Sequence, residues 1–140
     1  MRAKYARRHK QFGWWLLFVF ATLGLVLELL HGFKIQAYLA VSNETRRLMW
    51  TLAHAHGVLI ALVNVTCGVS LETGSVAPRQ FHAISVALIA ASILIPGGFL
   101  VAGFVSYEGD PNVGVALVPV GAILLLIALF GLARHAESTD

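Results

Sequence analysis

The sequence predicts an all-α, polytopic membrane protein: one four-transmembrane-helix bundle occupying residues 1–140. Three observations carry this. Of 140 residues, 58% are hydrophobic and 12% charged, which is more apolar surface than a soluble domain of this size can hide behind a charged exterior. Four apolar stretches, near 12–33, 48–71, 81–107 and 113–133, each approach or exceed the roughly 20 residues needed to cross about 30 Å of hydrocarbon. The connections between them are too short for a second domain.

The first span is preceded by Arg2, Lys4, Arg7, Arg8 and Lys10 and begins with Trp14 and Trp15. Its apolar run is too long for a signal peptide and no Ala-x-Ala cleavage pattern follows closely, so it is expected to be retained. Beside a span, the basic start reads as topology rather than as a nucleic-acid footprint, and nucleic acid is not an expected partner. With Arg79 and Arg134 those five cations make seven, against Lys34, Arg46 and Arg47 in the first loop. That excess predicts both termini inside, with the first and third loops outside, in what is expected to be a bacterial inner membrane. Trp14 and Trp15 are then interfacial anchors.

The first outer connection, Gly32 to Arg47, is the longest. Within it Lys34 to Val41 is mildly amphipathic and predicts a short interfacial helix with Tyr38 at headgroup depth. The inner connection, Glu72 to Gln80, contains Gly74 and Pro78 and predicts a tight polar turn. The outer segment Glu108 to Gly114 holds Gly109, Asp110, Pro111 and Asn112 and predicts a compact turn. Cys67, the single cysteine, lies in the second span and forms no intramolecular disulfide.

Ionisable residues within spans are costly unless they face a partner, a cavity or a cofactor. Five stand out: Glu28, His31, His54, His56 and His82. On the first helix Leu17, Ala21, Gly24, Glu28 and His31 follow a 3-4 spacing, which predicts one seam facing other helices. Counting inward from the outer surface, Glu28 and His54 lie roughly 8 to 9 Å deep at 1.5 Å per residue and are expected at one level. Pro96, Gly97, Gly98 and Pro119 fall in the same half and are expected to loosen their helices beside a site.

His54 and His56 belong to the run Ala53-His54-Ala55-His56-Gly57. At about 100° per residue they point roughly 200° apart, so a regular helix cannot bring both to one metal ion. His54 shares its side with Trp50, Gly57, Ala61 and Gly68, a small-residue seam with room for a planar ligand or another helix. His56 shares its side with Met49, Ile60, Val63 and Cys67, a packing surface or subunit contact. His82, with Ser85 and Ser92 on its seam, reads as interfacial, and Asn64, Thr66 and Cys67 as interhelical hydrogen bonding or packing. Neutral imidazole is a common ligand of iron, copper and zinc, and a carboxylate such as Glu28 can orient it. Glu28-x-x-His31 has the spacing found in di-iron bundles, but these require a second such motif and further carboxylates, which the other spans lack.

Gly32-Phe33-Lys34-Ile35 after the first span and Ala53-His54-x-x-Gly57 near the start of the second resemble the styrene oxide isomerase and hydroxylaminobenzene mutase group of small four-helix membrane proteins. The resemblance implies a trimer holding haem b between subunits, with His54 as axial ligand and ferric iron acting as a Lewis acid toward an epoxide-type oxygen. The group carries a substrate-site asparagine at the position this chain fills with Ile60, and the nearest amide here is Asn64.

Together these readings predict an oligomeric membrane protein that binds haem b or a transition metal in the outer half of the bundle, with isomerase-like or redox chemistry. In that reading His54 is the cofactor and metal ligand, His56 a second cofactor ligand or subunit contact, and Glu28 and His31 the catalytic, proton-handling pair. The alternatives are a non-catalytic accessory subunit of a larger respiratory or transport complex, whose polar cluster fastens helices, and a small proton or metal carrier.

Overall fold

A computed structural model describes residues 2–73, 81–104, 106–107 and 110–136. The expected turn around Gly74 and Pro78, Arg79, and the Glu108–Gly109 tip lie outside the described residues. The described residues are all but entirely helical: α1 (Arg2–Gly32), a short α2 (Gln36–Leu39), α3 (Glu44–Thr73), α4 (Phe81–Phe104) and α5 (Leu117–Ala136), with single 3₁₀ turns at Val41–Asn43 and Val113–Ala116. Four of these helices are long and apolar enough to cross a bilayer, which identifies a membrane-embedded helical bundle.

α1 begins at Arg2, ten residues before its apolar stretch, so the basic segment is helix and not tail. Its 31 residues span about 46 Å, enough for hydrocarbon plus headgroup layers. α4 stops at Phe104, short of the expected Tyr107. There the chain turns into a minimal antiparallel pairing of Ser106 with Pro111 and Tyr107 with Asp110. Asn112 closes that turn: its side-chain oxygen accepts from the Gly114 N–H at 2.7 Å and its amide donates to the Val101 carbonyl at 2.8 Å, which caps the segment leading into α5.

The long helices pack in the order α1–α3–α4–α5, with α5 held mainly by α4 and the 3₁₀ turn preceding it. The bundle is therefore open. Only 17% of the apolar window of α1 and of α5 is buried, against 56% of α4, so α4 is central and the outer two helices are edges. Glycines set the close approach of α1 to α3. A Cβ on Gly13 would lie 2.9 Å from the Ala61 carbonyl oxygen and the Val65 nitrogen, backbone that cannot yield. Pro96 sits inside α4 without interrupting it, and Gly98 abuts the Gly114 carbonyl and Val118. Gly98 thus serves the α4–α5 contact, whereas Gly97 meets nothing within 4 Å.

The far end of the bundle, opposite the two termini, is tied by arginines. Arg47 donates to the Tyr38 and Ala40 carbonyls at 2.9 Å each, and its guanidinium lies 6.0 Å from the Tyr38 ring centre. Arg46 donates to the Gly103 and Phe104 carbonyls at the end of α4, a favourable place for a cation at a helix C-terminus. Tyr38 is buried beneath this clasp.

α1 ends in a Schellman turn: Ile35 N–H bonds the Leu30 carbonyl and Lys34 N–H the His31 carbonyl, both at 3.1 Å. The left-handed position of that turn is Lys34, at φ 52°, a conformation costing a non-glycine residue about 1 kcal/mol. Lys34→Gly is expected to raise stability by roughly 0.5 to 1 kcal/mol, read as a higher unfolding midpoint in detergent.

Candidate functional site

Two polar constellations occupy opposite halves of the bundle. In the far half, a groove of about 640 Å³ opens between α1 and α3, lined by Ala21, Gly24, Leu25, Leu27, Glu28, His31, Tyr38, Thr51, His54 and Val58. Three of the four residues singled out for the site therefore border one cavity. His56 does not. Its Nδ1 donates to the Leu52 carbonyl one turn back at 2.8 Å, and its ring lies 5.0 Å from that of Phe99 on α4. With Met49, Ile60 and Cys67 buried on the same side, that side of α3 is the α3–α4 packing surface.

The small-residue seam on the His54 side of α3 is filled by α1 over most of its length. Gly57 meets the Phe20 ring, Ala61 meets Gly13, and Gly68 meets Ala6 and Lys10. It opens only near His54. The imidazole lies against Gly24, where an added Cβ would fall 2.2 Å from Cε1 and 2.7 Å from Nε2. His54 Nδ1 donates to the Phe20 carbonyl at 2.7 Å. A carbonyl only accepts, so Nδ1 carries a proton; among the described residues Nε2 meets no hydrogen-bond partner, and in the tautomer this bond selects Nε2 is the lone-pair nitrogen.

Glu28 and His31 make no hydrogen bond and no ion pair among the described residues, and both are exposed on the chain. This corrects the seam drawn from the sequence. The residues α1 buries are Ala6, His9, Gly13, Phe20 and Leu27, displaced by about one position from Leu17, Ala21, Gly24, Glu28 and His31, so the two polar groups stand on the groove's rim. The level is corrected too. His54 faces Phe20 and Gly24, one helical turn deeper than Glu28, because α3 starts at Glu44 and His54 is its eleventh residue.

The donor set decides which groups the groove suits. Among the described residues no three His, Cys, Asp or Glu side chains are arranged to hold a metal ion. On its wall the groove presents one imidazole, His54, oriented by a backbone carbonyl and packed on Gly24, the kind of single ligand taken by a planar group that brings its own equatorial donors. Gly24→Ala is expected to push His54 off the Phe20 carbonyl at a cost of only about 1 kcal/mol in stability, since the imidazole can swing aside. Imidazole nitrogen shifts in NMR would register the lost bond.

The second constellation escaped the sequence reading as a cluster, although Asn64 was expected in interhelical hydrogen bonding and is found there. His9, Asn64, Ser85 and Ser92 are each at most 2% exposed and join α1, α3 and α4. His9 Nδ1 meets Asn64 Oδ1 at 2.9 Å and Nε2 meets Ser85 Oγ at 2.8 Å. The Asn64 amide donates to Ser92 Oγ at 2.8 Å and to the Ile60 carbonyl at 2.9 Å, and Ser92 Oγ donates to the Leu88 carbonyl at 2.6 Å. Both amide protons are used on acceptors, so Oδ1 faces His9, whose Nδ1 must carry the proton. Every polar group of this hub is partnered, which is what a dry helix interface demands.

Ser85 and Ser92 therefore answer His9 and Asn64 and not His82, which is exposed and bonds Tyr5 Oη at 3.2 Å. Thr66 is exposed and bonds back to the Leu62 and Val63 carbonyls of its own helix, whereas Cys67 is packed in the core. Around the hub, Lys10 pairs with Glu72 and the Arg2 guanidinium lies 5.7 Å from the Phe81 ring centre. One signal in the sequence pointed to the hub: His9, Phe12 or Gly13, and Leu16 share a face with the later apolar stripe, so the helix could be extended back to it.

Compared with known proteins, the chain matches no family model, no curated protein and no solved structure.

Proposed function

We propose that this protein is a membrane haem protein, with His54 as the ligand from this chain and the α1–α3 groove as the seat of the group. The observation that supports this most is the His54 imidazole itself, with Nδ1 held by the Phe20 carbonyl and Nε2 left bare beside Gly24. When bound, haem iron would supply a Lewis-acid or redox centre. Glu28 and His31, one turn nearer the far end, would hold or pass protons at the mouth of the groove. The resemblance to the styrene oxide isomerase and hydroxylaminobenzene mutase group points the same way. Ile60 in place of that group's asparagine argues for a different substrate.

A carboxylate exposed on an apolar span asks for cover, and the open order of the helices leaves the groove uncovered by α4 and α5. Both features support a homo-oligomer whose neighbouring copy closes the site, in an inner membrane with both termini cytoplasmic. A transition-metal ion in place of haem would require donors from that second copy. The accessory-subunit reading, in which the cluster fastens helices, is less well supported because Glu28 and His31 make no interhelical hydrogen bond among the described residues. In this chain the hub around His9 does the fastening.

The test is an absorption spectrum with iron and haem analysis of protein purified in mild detergent from haem-replete cells. A Soret band with stoichiometric iron is the expected result, weakened about ten- to a hundredfold in haem affinity by Gly24→Ala, which disturbs only the orientation of His54. A colourless protein that takes up no added haem would sink the proposal.

A further inference from the structure

Along α1, away from its buried stripe, two open surface clefts share lining residues. The first, of about 400 Å³, is lined by Lys4, Arg7, Arg8, Gln11, Phe12 and Trp15, and the second, of about 480 Å³, by Gln11, Trp14, Trp15 and Phe18. Gln11 and Trp15 belong to both, so the two form one groove, cationic toward the end of the bundle that carries the termini and aromatic toward its middle.

Among the described residues nothing compensates the cations in it. Among the described residues the one salt bridge is Lys10 with Glu72, and no carboxylate meets Lys4, Arg7 or Arg8. Lys4 stands three and four residues from Arg7 and Arg8, spacings at which like charges on a helix repel. An anion at this point removes that repulsion, and arginine suits a phosphate oxygen pair better than lysine does.

We propose that the groove is a binding site for one anionic glycerophospholipid. Its phosphate is held by Lys4, Arg7 and Arg8, its glycerol lies at the level of Gln11, and an acyl chain runs over Trp14, Trp15 and Phe18. The other occupants fit less of the groove. A soluble phosphate would satisfy the cations and leave the aromatic half bare. A zwitterionic lipid carries its own cation to the cluster. A second copy docking through the same face would set two basic stripes against each other. Topology explains the cations and interfacial anchoring explains Trp14 and Trp15, but neither requires the two to line one continuous groove through Gln11 and Trp15.

The experiment uses a variant with Trp15 as its sole tryptophan (Trp14→Phe, Trp50→Phe), reconstituted in phosphatidylcholine vesicles. A minor fraction of the lipid is brominated phosphatidylglycerol or, in parallel, brominated phosphatidylcholine. Quenching of Trp15 is expected to be several-fold stronger with the brominated phosphatidylglycerol. Removing Arg7 and Arg8 as glutamines is expected to lower the relative association constant about fivefold per cation, whereas Arg7→Lys with Arg8→Lys keeps most of it. Retention of phosphatidylglycerol by wild type and its loss from the glutamine variant in native mass spectrometry gives the same answer without the tryptophan changes. Equal quenching by the two lipids, or a preference that survives the glutamine variant, overturns the proposal. So does displacement by soluble glycerol phosphate, which would mark a free-anion site. Trp15 shielded from both lipids in proportion to protein density would mark a second copy there, and overturns it as well.

Discussion

Asn64→Leu is expected to destabilise the protein by about 2 to 3 kcal/mol. An average interhelical hydrogen bond within a membrane contributes only about 0.6 kcal/mol, and Asn64 makes two, to His9 and to Ser92. The larger part comes from what is left behind. The His9 Nδ1–H loses its acceptor in a place the solvent does not reach, and a stranded buried donor costs about 1 to 3 kcal/mol. His9→Leu strands Asn64 Oδ1 and Ser85 Oγ instead and is expected to cost a similar amount. The double substitution should cost clearly less than the two singles added, because each removes the other's stranded partner, and a coupling of at least about 1 kcal/mol is anticipated. Denaturant unfolding of the detergent-purified variants, followed by helical circular dichroism, gives these numbers directly. Additive losses, or singles below about 0.5 kcal/mol, would show that the hub is not the fastening of the bundle.

The second large effect separates the two neighbouring histidines. His54→Gly is expected to reduce haem affinity by at least about a hundredfold, or about 2.7 kcal/mol, while His56→Gly leaves it within about twofold and lowers stability instead. The two side chains are two positions apart in sequence but on opposite duties. His54 borders the groove with Nε2 bare, whereas His56 is bonded to its own helix and stacked beside Phe99. Glu28→Gln removes a charge from the groove's mouth without touching His54, so it is expected to alter proton-dependent behaviour more than haem retention.

Much of this was legible in the sequence for physical reasons. Four runs of apolar residues long enough for a bilayer leave few alternatives to helices, and the 200° between His54 and His56 assigned them to different faces before any coordinates. The small residues at Gly57, Ala61 and Gly68 marked a seam for a planar ligand or another helix, and α1 takes most of it. Three things were not legible. The start of α1 was hidden because Arg2, Lys4, Arg7, Arg8 and Lys10 read as a solvated tail, and that concealed His9, whose environment is made by Asn64, Ser85 and Ser92, distant in the chain. The seam of α1 was drawn through Glu28 and His31 by treating polar groups in a span as inward-facing. They stand on the rim, since Phe20 and Leu27 take the buried positions. The relative depth of Glu28 and His54 depended on where α3 begins, and helix ends are set by caps that hydropathy does not register.

The central claim is that His54 offers one bare imidazole nitrogen to a planar group in the α1–α3 groove. Haemin titration of His54→Gly, with and without free imidazole, tests it most directly. The account predicts that wild type and His56→Gly develop a histidine-ligated Soret band, that His54→Gly does not, and that imidazole restores the band in His54→Gly by occupying the space the side chain vacated. Wild-type protein that fails to change the haemin spectrum, or His54→Gly that binds haemin as wild type does, would contradict it.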